Sequence, residues 1–180
     1  LNQNEQLRTF LLNNAKRLTE EWYDSVDKNK AVGVYASTDP EVIQTLKEQD
    51  YEFRLYICNV FVEDEKTFFD AFEVWINKIA KGNEHIRTPI SSVIKEFMRI
   101  RKQYCDCIEE FVSTYEGFID PKLINAWNEH VIRIFDITIL KFITAAEETS
   151  SLQLKAQQEM IHELSSPVIT IKKDIALLPL

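Results

Sequence analysis

The sequence predicts an all-α fold: a helical domain, then a long C-terminal linker helix, then the opening strands of a β-containing domain. Three observations predict it. Helix breakers are scarce, with 3 Gly and 5 Pro in 180 residues. A polar residue followed by proline recurs where helices should begin, at Asp39-Pro40, Thr88-Pro89 and Asp120-Pro121. Apolar spacing stays helical until Pro167 and only then becomes a β-branched run.

In each start signal the side-chain acceptor precedes a residue lacking the N–H that a first helical turn cannot use. Gly33, Gly82 and Gly117 precede these starts and are expected as stops. Residues 4–26 carry Leu7, Leu11, Ala15, Leu18, Trp22 and Val26 on one face, the pattern of a first amphipathic helix. From Asp39 onward Ile43, Leu46, Phe53, Ile57 and Val60 keep helical spacing. A second set follows the acidic Glu63-Asp64-Glu65, namely Phe68, Phe69, Phe72, Trp75, Ile76 and Ile79, so a break or kink near Glu63 is expected. Residues 89–115 repeat the pattern with Val93, Ile94, Phe97, Ile100, Tyr104, Ile108, Phe111 and Val112.

The last helix should start at Pro121 and, with no Gly or Pro until Pro167, is expected to run through Leu164. Between residues 131 and 146 its apolar side chains span about half the circumference, wider than the stripe of a helix facing one core. Two buried flanks follow: one on the chain's own helices, the other on the same helix of a twin in a two-fold homodimer. Trp127, Val131, Ile134, Phe135, Thr138, Phe142 and Ala145 are the interface candidates. Beyond Ala146 the helix turns polar, leaving a thin seam of Thr149, Leu152, Ala156, Met160 and Leu164 that suits a signal-transmitting linker. After Ser165-Ser166-Pro167, Val168-Ile169-Thr170-Ile171 reads as a strand, Lys172-Lys173-Asp174 as a turn and Ile175-Ala176-Leu177-Leu178 as a second strand.

Composition restricts function. A net charge of −8 with 21 scattered basic residues disfavours nucleic acid and anionic membrane. The most apolar stretch, residues 131–146, is broken by Arg133, Asp136 and Lys141 and is too short for a membrane span. No export signal is visible, the chain opens on Leu1 rather than Met, and Cys58, Cys105 and Cys107 lack disulfide-framework spacing, which suits a reducing cytosol.

Chemistry-bearing residues are few. Ile161-His162-Glu163-Leu164-Ser165-Ser166-Pro167 resembles a histidine-kinase phosphoacceptor box, but β-branched residues follow where that family continues as helix. Haem would need a proximal histidine, and His85, in the loop before Pro89, is the one placed for it; His130, beside Glu129, reads as a hydrogen-bonded interior or interface side chain. Cys105 and Cys107, two apart on a helix, diverge and read as packing residues. The pairs Glu109-Glu110 and Glu147-Glu148 diverge likewise and read as solvated faces. No phosphate loop, nucleophile elbow or zinc spacing occurs, so neither an enzyme nor a resident cofactor or metal is expected.

A globin-length helical domain, a long helix ending Glu163-Leu164-Ser165-Ser166-Pro167-Val168-Ile169, and then Ile175-Ala176-Leu177-Leu178-Pro179-Leu180 together resemble the RsbR-type stressosome co-antagonists. The junction is the most specific part, resembling the opening of a STAS domain; Thr170 departs from it, standing where relatives commonly carry Pro. The resemblance implies a globin-like, non-haem sensory and dimerisation domain over residues 1–148, a linker helix over 149–166 and a truncated STAS domain from 167 to 180. It further implies a homodimeric cytoplasmic sensor, a turret whose STAS portion assembles beside RsbS-like scaffold proteins and holds an RsbT-like kinase until stress releases it, activating an alternative sigma factor. The phosphorylated threonines of such proteins would fall beyond Leu180. The alternative is a haem or small-molecule sensor feeding a histidine kinase through His162.

Overall fold

The computed structural model describes residues 2–82, 87–164, 169–172 and 175–177. Among them are five α-helices: α1 Gln3–Ser25, α2 Pro40–Ile57, α3 Glu65–Lys81, α4 Ile90–Thr114 and α5 Pro121–Leu164. Single 3-10 turns cover Gly33–Ala36 and Cys58–Phe61. The chain divides into two compact units, Leu1–Ala146 and Glu147–Leu180.

Each helix begins for a local reason. In α1 the Asn2 side chain accepts from the Glu5 amide while the Glu5 carboxylate accepts from the Asn2 amide, both at 2.9 Å, a reciprocal capping box. Asp39 accepts from the Glu41 amide at 2.9 Å and Pro40 occupies the first position of α2, as the sequence predicts. The break near Glu63 is a complete stop. α2 closes at Ile57, the 58–61 turn follows, and α3 restarts behind Asp64, which accepts from the amide and hydroxyl of Thr67 at 3.1 and 2.6 Å.

Two start-and-stop expectations need correction. Thr88 does not cap α4: Pro89 takes the cap position without a side-chain bond, and the Thr88 hydroxyl accepts from the Val34 amide at 3.0 Å, 54 residues away. That contact explains Gly33, which opens a 3-10 turn rather than ending α1. Its φ is +62°, and a Cβ there would lie 2.4 Å from the Thr88 hydroxyl oxygen, so both the backbone sign and the close approach require glycine.

The core of the first unit is aromatic and centred on Phe53. Its ring lies 5.0 Å from Trp75 and 5.6 Å from each of Phe72, Phe97 and Phe135, tying α2 to α3, α4 and α5. Most of these pairs are tilted or edge-on, the arrangement ring quadrupoles favour. In the second unit, β1 Ile169–Lys172 pairs antiparallel with β2 Ile175–Leu177, with Ile169 opposite Leu177 and Thr170 opposite Ala176. Val168 and Leu178, the expected outer ends of these strands, lie outside the described residues. Two short strands do not by themselves define a domain.

Candidate functional site

The candidate site is α5, because it is the element whose surface the chain's own fold leaves half used. It begins where the Asp120 carboxylate accepts from the Lys122 amide at 2.9 Å, and it continues for 44 residues without Gly or Pro, as its sequence predicts.

Its inner flank belongs to the core. Trp127, Val131, Ile134, Phe135, Thr138, Phe142 and Ala145 are all buried within the single chain. Trp127 donates its indole N–H to Asn4 at 2.8 Å, Phe135 packs on Phe53 and Tyr104, and Phe142 meets Phe97 at 5.6 Å. All seven side chains are closed off by the chain's own core, so the surface that α5 leaves open lies on its other flank. Periodicity found the apolar arc but could not say which half of it each partner takes.

The outer flank is the remaining half. Ile132 and Leu140 are 43% and 64% exposed, and Ile139 and Ile143 are half-buried. Their spacing of seven, eight and eleven residues puts them on one stripe. Arg133 pairs with Glu65 and Lys141 with Glu73 toward α3, while Asp136, four residues from both Ile132 and Leu140, stands on the stripe itself and pairs with Arg101 of α4 at 2.8 Å. Met98, one turn from Arg101, adds another half-exposed apolar side chain.

Past Ala146 the helix changes character. Leu152 and Met160 are 65% and 61% exposed, Ala156 is exposed and Thr149 half-buried, while the Leu164 side chain lies outside the described part. Every described side chain from 150 to 162 is exposed.

The histidines and cysteines settle simply. His130 is half-buried with Nε2 3.0 Å from the Val60 carbonyl oxygen, a hydrogen-bonded interior residue as expected. His162 is exposed in the last turn of α5, and His85 lies outside the described residues. Cys58 and Cys107 are buried and Cys105 half-buried, all three free thiols. Burial pushes Cys58 up to about 12 and Cys107 up to about 11, which makes both unreactive at neutral pH. Among the described residues no group of His, Cys, Asp and Glu is arranged to hold a metal ion, and no helix is long and apolar enough to cross a membrane.

One constellation escaped the sequence reading. Asp50 and Arg54, four apart on α2, form an ion pair at 2.7 Å with side chains 3% and 0% exposed. The Thr19 hydroxyl donates to Asp50 at 2.6 Å, and Arg54 Nη2 donates to Gln103 at 2.8 Å. Gln103 reaches the Leu18 carbonyl, and Tyr104 donates to the Arg54 carbonyl, so the network joins α1, α2 and α4. Burial pushes the Asp50 carboxyl up, while Arg54 and the Thr19 hydroxyl pull it back. An Asp–Arg pair at this spacing ordinarily reads as a solvated surface pair. The available signal was position, since Asp50 stands on the Leu46–Phe53–Ile57 face.

Comparison with known proteins gives one consistent result. The chain is 38% identical over 177 residues to the RsbT co-antagonist protein RsbRB of Bacillus subtilis (strain 168), covering 98% of this chain and 64% of that protein. It is 34% identical to RsbRC and 22% identical to RsbRD of the same organism, over 98% and 97% of its length. The chain thus spans a little under two thirds of the curated relatives it matches. No protein-family model and no solved structure matches it.

Proposed function

From homology to the RsbT co-antagonists, which extends over 98% of the chain, we propose that this helical unit and its linker are the non-catalytic sensory and scaffolding part of a stressosome-type regulator. In this reading the whole protein holds an RsbT-like kinase beside RsbS-like partners and releases it under stress, and the output is an alternative sigma factor. The homology carries the reading. The cytoplasm is its place, since such a switch meets its kinase there.

Residues 1–148 are then the sensor, a globin-like domain that works without haem, and residues 149–166 are the linker. The strand pair after α5 is the opening of a STAS domain. The homodimer forms through the outer flank of α5, with Ile132, Ile139, Leu140 and Ile143 meeting their twins. The exposed Ile132 and Leu140, with the half-buried Ile139 and Ile143, support an isologous contact of this kind.

Signalling needs an element with two states that both ends can bias. A change in packing between twin sensors would shift or rotate α5, and its wet continuation would carry that change toward the kinase-binding portion. The test uses a protein extended to the relatives' full length, with its RsbS-like and RsbT-like partners. The kinase should co-purify with the unstressed complex, and inserting residues near Gln157 should change its release with helical phase. Failure to retain the kinase, or release unchanged across all phases, defeats the reading.

A further inference from the structure

Beside the end of α1 a pocket of about 150 Å³ opens between residues 26–35 and the first half of α4. The chain that walls it is held in place: the Lys30 and Ala31 amides donate to the Asp27 carbonyl at 3.0 and 2.9 Å, and the Val34 amide donates to the Thr88 hydroxyl at 3.0 Å. A volume near this one takes a benzene ring, so the pocket has room for roughly six non-hydrogen atoms. Val26, Ala31 and Val32 give it apolar wall, while Ser92, Lys95 and Arg99 of α4 bring a hydroxyl and two cations.

The charges around the pocket do not cancel. Lys30, Lys95 and Arg99 line it against two carboxylates, Asp27 and Glu96. Both carboxylates are already occupied. Asp27 accepts from the Asn29 amide at 3.1 Å and stands 3.4 Å from Lys30; Glu96 accepts the Trp22 indole N–H at 2.8 Å and stands 3.6 Å from Arg99. Arg99 also donates to the Ser25 hydroxyl at 2.6 Å and to the Ser25 carbonyl. Lys95 is the cation left over, since among the described residues it pairs with no carboxylate. On a chain of net charge −8 a pocket with surplus positive charge stands out as a place for an anion.

We propose that this pocket binds a small monocarboxylate with a short aliphatic tail, its carboxylate at Lys95 and its tail against Val26, Ala31 and Val32. One unpaired cation calls for one negative charge, and an apolar wall favours carbon that an inorganic anion lacks. The pocket lies where the end of α1, residues 26–35 and α4 meet, so an occupant touches all three. The inference is independent of the partner-switching reading above, because it rests on the pocket and its charge count alone.

Butyrate, butyramide and inorganic phosphate test it, since they offer a charge with a tail, a tail without a charge and a charge without a tail. Each is titrated into the nitrogen-labelled full chain, following the backbone amides of Ala31, Val32 and Lys95. Butyrate should shift them saturably, with a dissociation constant on the order of 1 mM, the range expected of so few atoms. Butyramide and phosphate should each bind at least about fivefold more weakly, having lost the ion pair or the buried carbon. Lys95→Met should weaken butyrate about fivefold, the upper end for an exposed ion pair, and leave butyramide unchanged, while Lys95→Arg should keep most of the affinity. Lys102→Met removes the same charge from an exposed lysine that pairs with Asp106 outside the pocket, and it should change nothing. Val32→Asp, at a position 45% exposed, should abolish binding with the fold intact. No saturable shift with butyrate, butyramide or phosphate binding as tightly, an undiminished affinity in Lys95→Met or Val32→Asp, or equal losses in Lys95→Met and Lys102→Met would overturn the proposal.

Discussion

α5 is one helix by its backbone and two by its side chains. From Trp127 to Ala145 its inner flank is sealed by aromatic contacts with α2 and α4; from 150 to 162 every described side chain faces solvent. Hydrogen bonds along the helix are of one kind throughout, so what separates the halves is burial, the main source of helix stability in proteins. The first half is held by its domain. The second half relies on propensity and on whatever partner it meets, which is how a segment built to report on its neighbours differs from one built to stay put.

The largest expected effect sharpens that contrast. Phe135→Ala removes a ring shared with Phe53 and Tyr104 and should lower unfolding stability by about 4 kcal/mol, whereas Leu152→Ala and Met160→Ala should each change it by less than about 0.5 kcal/mol. Urea denaturation of the three variants makes the comparison. Equal losses in both halves would mean that residues 150–162 are covered by a second chain.

A second, somewhat smaller effect comes from the buried pair. Arg54→Met leaves the Asp50 carboxylate without its counter-charge and should cost about 3 kcal/mol; adding Asp50→Leu should restore most of that, because an apolar pair needs no compensation. Recovery in the double variant, read by the same denaturation, identifies the loss as an unpaired charge. Persistent loss would instead mean that the network's links to Thr19 and Gln103 fix the approach of α1 and α4.

Leu140→Glu targets the outer flank. The side chain is 64% exposed in the single chain, so the fold should survive while self-association weakens by about tenfold, measured by sedimentation equilibrium. Phe142→Ala is the counterpart two residues on, where the loss should fall on stability.

What was legible in the sequence follows from what periodicity encodes. Caps at Asp39 and Asp120, the stop before Glu65 and the unbroken run of α5 are local chemistry, and they could be read directly. The width of the apolar arc on α5 is likewise plain in the sequence. Which flank faces inward depends on where α2 and α4 lie, a tertiary fact, so periodicity alone does not single out Trp127, Phe135 and their neighbours as core residues. Thr88 failed for a similar reason, since the Val34 amide lies 54 residues away and competes for the hydroxyl that local rules give to a helix start.

The smallest effect concerns the thiols, and all three stand in the first unit. Burial holds Cys58 near 12 and Cys107 near 11, whereas an unfolded thiol titrates near 8.5. As pH rises through that unfolded value the unfolded chain releases protons that the folded chain keeps, so stability must fall with pH from about 8.5 upward and is unaffected below it. Denaturation midpoints at rising alkaline pH should show this slope, and Cys58→Ala together with Cys107→Ala should flatten it. In the folded protein near neutral pH, Cys105, the half-buried thiol, should react first with a disulfide reagent, while the other two wait for unfolding. Fast reaction of all three would mean that the first unit opens readily, which would remove the contrast between a sealed domain and a wet linker.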